Sequence, residues 1–131
     1  MVTGYKEELL VPALTRLGVK AIKNPDFSKG MYSSIKAGVR TLDDTVDAFF
    51  LLPGASPLVD PAAIHALMRA YRRRHTFVAY PVSGGWRGHP SLVSAHLRSL
   101  IENHNPENAL SSLLEHKEQG IVYLADKLSR P

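Results

Sequence analysis

The 131-residue chain contains no cysteine. Disulfides, thiolate nucleophiles and zinc sites with sulfur ligands are therefore excluded, which leaves histidine and carboxylate groups for metal binding or acid–base chemistry. Any bound metal is expected to be a hard cation, such as magnesium. The sequence also lacks an apolar run of the roughly 18 residues that a membrane helix needs, and it lacks the basic-then-apolar start of a secretion signal. We therefore expect a cytoplasmic protein with no membrane partner.

The charge balance is mildly basic, with 16 Lys and Arg against 12 Asp and Glu and a formal net charge of +4. An excess of this size favours anionic ligands such as nucleotide phosphates and does not require nucleic acid. The densest basic run, 72–74, closes a predicted helix, where cations suit the negative end of the helix dipole. A nucleic-acid surface would interleave basic and aromatic residues over a larger area. The run therefore favours a solvated helix end, and nucleic acid is not an expected partner.

Two elements have strong local signals. The apolar run from Val46 to Leu52, closed by Pro53-Gly54, is typical of a strand buried on both faces of an α/β sheet. Asp60 followed by Pro61 is an N-cap with proline at the first helical position, and apolar residues at helical spacing continue from there to about Arg74. The pattern predicts a buried strand followed by an amphipathic helix.

The remaining pattern predicts strands that alternate with helices. The predicted elements are a helix over 5–17, a strand over 19–22, a helix over 33–40, a strand over 76–82, a helix from Leu92 to Ile101, a short helix over 109–114 and a strand over 121–124. Such alternation indicates a mostly parallel sheet with helices on both faces. We therefore expect one α/β domain over 1–131, a three-layer α/β/α sandwich of Rossmann-like type.

Three segments, read in order, resemble one family. The stretch from Asn24 to Ile35 is similar to the Asn-Pro-x-x-x-x-Gly-Met-x-x-Ser-Leu stretch of MobA-like nucleotidyltransferases, particularly the molybdopterin cytidylyltransferases. The stretch from Leu51 to Val59 lies where that family has an apolar strand ending in Gly-Asp-x-Pro-Leu-Val, and 84–90 resembles its Gly-x-x-Gly-His-Pro loop. All three follow predicted strands, where open α/β sheets bind ligands.

The resemblance implies a transferase that moves a nucleotidyl group from CTP or GTP to a molybdopterin-like phosphate, with magnesium as cofactor. It also implies which residues bind the substrates: Asn24, Gly30, Ser33, Ser34, Gly54, Pro57, Gly88, His89 and Pro90. Ordinary structural roles compete with this prediction. Asparagine and serine also stabilise turns and helix caps. A histidine between glycine and proline can merely form a hydrogen bond within its own loop. For Trp86, we expect the indole to pack over the loop rather than to stack on a flat heterocycle.

The sequence departs from the family pattern at places that matter for catalysis. The family begins with a strand and a glycine-rich loop that cradles the triphosphate, and no segment here replaces that loop, so the resemblance implies a domain truncated at its amino end. The family's metal-binding aspartate is replaced by Ala55, and Asp126 is a weak substitute for a second acidic motif. We therefore expect no catalytic residue and no metal ligand in this chain, and impaired catalysis.

Two alternatives to an impaired transferase stay open at this stage. The chain is an active CTP or GTP nucleotidyltransferase if a missing amino-terminal part is supplied by another segment. Otherwise it is a non-catalytic remnant that binds a nucleotide, a pterin or a partner protein. Because the family's first strand lies beside the strand that is here 47–52, its absence predicts an open sheet edge. A homo-oligomer or a companion chain is expected to complete the sheet.

Overall fold

The described chain alternates strands with helices up to Arg74, as the sequence predicts, but three strands then follow one another between Val78 and Ser94 without a helix. The computed structural model describes residues 1–56, 58–74, 78–103 and 119–123. Its strands are β1 (Val2–Thr3), β2 (Ile22–Lys23), β3 (Ala48–Leu51), β4 (Val78–Ser83), β5 (Trp86–Arg87), β6 (Ser91–Ser94) and β7 (Gln119–Tyr123). Its α-helices are α1 (Val11–Arg16), α2 (Met31–Val39), α3 (Pro61–Arg74) and α4 (Arg98–Asn103). Short 3-10 turns lie at Glu7–Leu9, Phe27–Lys29 and Ala95–Leu97.

The backbone divides into two compact units. The first unit contains Met1–Thr45 and Arg98–Leu110, and the second contains Val46–Leu97 and Ser111–Pro131. In the first unit, β1 and β2 form a parallel pair, with Val2 opposite Ile22. Helix α2 packs against β1 and α4. The core residues of this unit include Leu14, Tyr32, Val39 and Ile101, each at most 6% exposed.

The second unit contains a five-stranded sheet in the order β3-β6-β4-β5, with β7 paired to β4. Strands β4 and β7 are parallel, whereas β6 is antiparallel to both β3 and β4, and β5 is antiparallel to β4. The described sheet is therefore mixed and not mostly parallel as predicted. Helix α3 covers this sheet, and its Leu67 packs with Ala79 and Leu92 in a buried cluster that Ala48 and Tyr71 extend. A strand and a helix are therefore present where they are predicted, over 46–52 and from Pro61. The strand is not buried on both faces as predicted, because β3 is an edge strand of the described sheet and Phe50 is 37% exposed.

One predicted helix is partly wrong. The apolar residues from Leu92 to Ile101 fit helical spacing, but β6 occupies Ser91–Ser94 and α4 begins only at Arg98. Leu92 and Val93 are adjacent and both are buried, at 4% and 0% exposure. Adjacent residues point to opposite faces of a strand, so two neighbouring buried side chains fit an internal strand covered on both sides. A short apolar run of this kind does not distinguish a strand from a helix by its period alone.

The helix predicted over 5–17 is interrupted. A 3-10 turn covers Glu7–Leu9, and α1 begins at Val11 with Pro12 in its first turn. Proline has no backbone N–H and its ring clashes with the carbonyl four residues earlier, so a helix that contains it starts anew around it. In the described part of the chain, no helix is long and apolar enough to cross a membrane.

Candidate functional site

The loop after β2 is organised around the side chain of Asn24, which is 2% exposed. Its amide donates hydrogen bonds to Ser33 Oγ and Ser34 Oγ, each at 2.9 Å. Its Oδ1 accepts the backbone N–H of Asp26 at 3.0 Å. Both amide protons and the amide oxygen are thus engaged, so Asn24 joins the end of β2 to the first turn of α2.

Ser33 continues this network on the exposed side. Its hydroxyl lies 2.7 Å from the Gly30 carbonyl oxygen and 3.0 Å from that of Asp26, so it donates towards these carbonyls while it accepts from Asn24. Gly30 precedes α2 with φ 101° and ψ 179°, a conformation that is almost exclusive to glycine. No heavy atom lies within 4 Å of a Cβ built there, so the requirement for glycine is conformational and not steric.

A basic pocket of about 350 Å³ opens beside this loop. Its wall includes four cationic side chains and one carboxylate: Lys23, Lys29, Lys36, Arg40 and Asp26. Lys23 pairs with Glu7 at 3.2 Å, and Lys29 pairs with Asp26 at 3.5 Å. Lys36 and Arg40 form no ion pair with any residue that the structure describes. Asn24 and Ser33 also line this basic pocket, which therefore joins two predicted ligand residues to two uncompensated cations.

Glu7 is held in its charged form at the edge of this network. Thr3 Oγ1 donates a hydrogen bond to Glu7 Oε2 at 2.9 Å, and Lys23 Nζ lies 3.2 Å from Oε1. The hydrogen bond from Thr3 is the largest single cause, and Lys23 acts through both a hydrogen bond and its charge. Together they lower the pKa of the Glu7 carboxyl below its usual value. Because Thr3 and Lys23 are neighbours across the β1–β2 pair, Glu7 ties that small sheet to the turn that follows it.

The segment after β3 forms a tight turn in which Ser56 N–H donates to the Pro53 carbonyl oxygen at 3.0 Å. Gly54 and Ala55 are both exposed on this turn, so the Ala55 methyl group faces solvent. Asp60, further along, is engaged as a helix cap, with Oδ1 accepting Ala62 N–H at 2.8 Å. The predicted substrate residue Pro57 lies outside the described residues, as do Asp126 and the segment 105–114.

The third segment that resembles the family, 84–90, lies in a β-hairpin and the loop that follows it. Gly84 and Gly85 both have positive φ, 57° and 80°, and form the two-residue turn between β4 and β5. Gly88 is buried, and its N–H donates to the Pro81 carbonyl oxygen at 2.8 Å. The His89-Pro90 peptide is cis, His89 is half-buried and Pro90 is buried. Ligand contact by Gly88, His89 and Pro90 stays a prediction.

Trp86 does not pack over this loop, contrary to expectation. The side chain is 63% exposed at the tip of the hairpin. The next residue, Arg87, instead places its guanidinium 3.9 Å from the centre of the Tyr80 ring. A two-residue turn leaves no chain over the indole, which explains why sequence reasoning from residue type alone gave the wrong environment.

The second unit also contains an apolar groove of about 330 Å³ that the sequence did not reveal. It is lined by Phe50, Leu52, Val59, Pro61, Ile64, His65 and Pro90. Helix α3 and the edge strand β3 form its walls, so only the fold brings these residues together. In the described ranges no group of three or more His, Asp or Glu side chains could hold a metal ion.

The family model for the MobA-like NTP transferase domain matches residues 1–121. The chain belongs to this family. It is 30% identical over 116 residues to the molybdenum cofactor cytidylyltransferase of Escherichia coli K12, a match that covers 87% of this chain and 58% of the relative. The chain thus spans a little over half the length of that curated relative.

Solved structures show the same fold. A protein of Mycobacterium tuberculosis H37Rv solved in complex with manganese aligns with a TM-score of 0.78 at 13% identity, over 95% of this chain and 65% of that one. The molybdopterin-guanine dinucleotide biosynthesis protein A of Archaeoglobus fulgidus aligns with a TM-score of 0.60 at 15% identity, over 96% of this chain and 63% of that one. At these identities the likeness establishes the fold alone, and it confirms the predicted α/β, Rossmann-like class.

Proposed function

We propose that this chain is a nucleotide-binding domain of the molybdenum cofactor cytidylyltransferase type, and that its catalytic transfer is impaired. The basic pocket supports the first half of this proposal. It presents Lys36 and Arg40 without carboxylate partners among the described residues, next to the loop that carries Asn24 and Ser33. The nucleotide proposed is CTP or GTP, and the acceptor is a molybdopterin-like phosphate, as in the family.

The electrostatics of the basic pocket favour phosphate. Lys36 lies in the last turn of α2 and Arg40 is its C-cap residue, still in helical conformation, so their like charges lie on one side of the helix end and repel each other. A phosphate between them would remove that repulsion. The planar guanidinium of Arg40 would bind two phosphate oxygens at once, while the Lys36 ammonium would act as a point charge. The proposal assigns Asn24 to holding the loop and Ser33 to the pocket wall.

Magnesium does not fit the described residues at the position where the family has its aspartate. Ala55 offers a methyl group there, and the carboxylate of Asp60 already caps α3. Hard divalent cations bind oxygen ligands, and in phosphoryl-type transfer they neutralise charge that develops on the leaving group. Ala55 is the observation that supports impaired transfer. We further propose that His89 contacts the acceptor.

The binding half is tested by titrating the protein with CTP or GTP in a calorimeter without metal. The double variant Lys36→Gln/Arg40→Gln should weaken binding by at least about tenfold, which corresponds to about 1.4 kcal/mol. The matched control is Arg72→Gln/Arg73→Gln, which removes the same charge from exposed positions on α3. Equal weakening by both double variants would indicate a net-charge effect and would refute a site on α2.

A second candidate function is an active nucleotidyltransferase whose missing parts come from another segment. It is favoured by the family match over residues 1–121. The exposed turn at Ala55 can take a carboxylate without displacing any packed side chain, so the missing ligand can be restored there. The variant Ala55→Asp should then gain affinity for Mn²⁺, measured by electron paramagnetic resonance. Ser56→Asp adds the same charge one residue further on and serves as control. If both variants bind Mn²⁺ equally, the position of the carboxylate is irrelevant and this candidate fails.

A further inference from the structure

Part of the positive charge in the wall of the basic pocket is already balanced. Lys23 Nζ lies 3.2 Å from Glu7 Oε1, and Lys29 Nζ lies 3.5 Å from Asp26 Oδ1. Glu7 stays charged, because hydrogen bonds from Thr3 and Lys23 lower the pKa of its carboxyl. Each of these two lysines is therefore matched by one carboxylate and adds little net charge for a ligand.

The surplus charge of the basic pocket comes from Lys36 and Arg40, which form no ion pair with any described residue. Lys36 is half-buried in the last turn of α2, and Arg40 is the exposed C-cap residue. The Arg98 guanidinium donates to the Arg40 carbonyl oxygen at 3.3 Å and so holds this end of the helix. Because the carbonyl end of a helix carries a partial negative charge, the surplus does not exceed the charges of Lys36 and Arg40.

The uncharged polar groups of the basic pocket have no hydrogen left to donate. The Asn24 amide donates to Ser33 and Ser34, and the Ser33 hydroxyl donates towards backbone carbonyls of its own loop. The backbone N–H groups of Ile22, Asn24 and Lys29 also have partners. A base or a sugar would find few donors among these groups. Recognition in the basic pocket therefore depends on the charge of the ligand.

A phosphate monoester matches the surplus charge. Above its second pKa of about 6 it carries close to two negative charges. Its oxygens can bind the planar guanidinium of Arg40 and the ammonium of Lys36 together. Among the lining residues of the basic pocket, Asp26 is the one carboxylate, and its charge repels any further phosphate.

We propose that the basic pocket binds one terminal phosphate group as a dianion, and that further phosphates of the same ligand add little affinity. The ligand class is therefore the phosphate monoester, whether it ends a nucleotide or a molybdopterin-like acceptor. This inference rests on the proposed function, because it specifies which group of the ligand the same pocket binds.

Methyl phosphate and methyl sulfate test the preference for a dianion. The two molecules have nearly the same shape, but at a pH of about 8 the phosphate is a dianion and the sulfate is a monoanion. In an NMR titration without metal, the unmodified chain should bind methyl phosphate more than about fivefold more tightly than methyl sulfate. Lys36→Gln removes half of the surplus charge and should bring this ratio below about fivefold. Lys20→Gln is the matched control, because Lys20 is exposed and lies outside the basic pocket, and it should keep the ratio.

CMP and CTP test whether further phosphates matter. In calorimetry without metal, CTP should bind the unmodified chain no more than about fivefold more tightly than CMP. Asp26→Asn removes the repelling carboxylate and frees Lys29, so it should raise the affinity for CTP relative to CMP. The loop should stay intact, because its hydrogen bonds to Asp26 use only backbone atoms. Glu8→Gln removes the same charge from an exposed position outside the basic pocket and should leave the CTP-to-CMP ratio unchanged.

The outcomes separate this inference from the proposed function. If CTP binds more than about fivefold more tightly than CMP, or methyl phosphate binds no better than methyl sulfate, this inference is wrong while nucleotide binding stands. If methyl phosphate binds as expected but neither CTP nor GTP binds, the proposed nucleotide function is wrong and the phosphate site stands. If none of these ligands binds, both are wrong.

Discussion

The side-chain amide of Asn24 donates to Ser34 Oγ at 2.9 Å, across ten residues of sequence. This bond and its twin to Ser33 attach the end of β2 to the start of α2, and so fix the loop that borders the basic pocket. The same asparagine that resembles a ligand residue of the family is therefore a buried structural residue in this chain. Any contribution of Asn24 to ligand binding would depend on the loop that it holds in place.

Asn24→Ala should reduce the free energy of unfolding by about 2 kcal/mol, because buried polar groups lose their partners. The backbone N–H of Asp26 and the two serine hydroxyls would lose the Asn24 side chain as a partner and would have to form hydrogen bonds with water instead. Urea denaturation followed by circular dichroism measures the change. Asn103→Ala is the control, since Asn103 is exposed at the end of α4 and should change stability by less than about 0.5 kcal/mol. Equal losses in the two variants would contradict the role assigned to Asn24.

Thr3→Val should raise the pKa of Glu7 towards its usual value, because the hydrogen bond from Thr3 is the first cause of the lowered pKa. Lys23→Gln should also raise it, because Lys23 lowers this pKa through both its hydrogen bond and its charge. A carboxyl with a lowered pKa contributes stability that is present above its usual pKa and is lost as the pH falls through the lowered pKa. A ¹³C NMR titration of the Glu7 carboxyl gives the values directly. An unchanged pKa in Thr3→Val would contradict the role assigned to the Thr3 hydroxyl.

Ionisation of Tyr32 should lower the stability of the folded state at alkaline pH. Its hydroxyl donates to the Ile101 carbonyl oxygen at 2.7 Å, and burial raises the pKa of this phenol. The folded state therefore holds its proton longer than the unfolded state, so stability is complete below a pH of about 10 and falls as the pH rises through the folded pKa.

Tyr32→Phe removes the titrating group and should flatten this alkaline decline, although it costs about 1 kcal/mol at neutral pH through the lost hydrogen bond. Thermal unfolding at a series of pH values tests both effects. Tyr5→Phe, at a position that is 72% exposed, should keep the decline of the unmodified chain. If the alkaline loss of stability is unchanged in Tyr32→Phe, other groups cause that loss.

Leu67→Ala should destabilise the second unit by about 3 kcal/mol, because Leu67 is 0% exposed between α3 and the sheet and its removal leaves a cavity. The loss is measured by urea denaturation. Leu58 is 91% exposed, so Leu58→Ala deletes the same atoms from a position in solvent and should have little effect. A small loss in Leu67→Ala would mean that the cluster around Ala79 and Leu92 repacks freely.

The parts of the fold that could be predicted from the sequence are those with strong local causes. Asp60 caps α3 through Ala62 N–H, as the Asp-Pro pair predicts. The uncharged run before Pro53 forms β3 because its large apolar side chains favour a strand, although only Phe49 of this edge strand is buried. The strand at Ser91–Ser94 escaped prediction, because its pairing with β3 and β4 is set by distant residues.

The sequence predicts the individual segments of the candidate site but not how the fold brings them together. The Asn24 segment and the Gly88–Pro90 loop carry recognisable residue types in order. The pairing of Asn24 with both Ser33 and Ser34 depends on the turn between β2 and α2, and the apolar groove depends on where α3 crosses β3. The exposure of Trp86 likewise follows from the two-residue turn at Gly84 and Gly85 and not from the residue itself.

This chain is proposed to offer a nucleotide a basic pocket, while it offers magnesium no carboxylate at position 55. The most direct measurement is pyrophosphate release from CTP and GTP with magnesium and a molybdopterin acceptor, with the Escherichia coli relative as positive control for the assay. We predict no release by this chain above the protein-free rate. Turnover at an ordinary enzymatic rate, on the order of 1 s⁻¹ or faster, would contradict it.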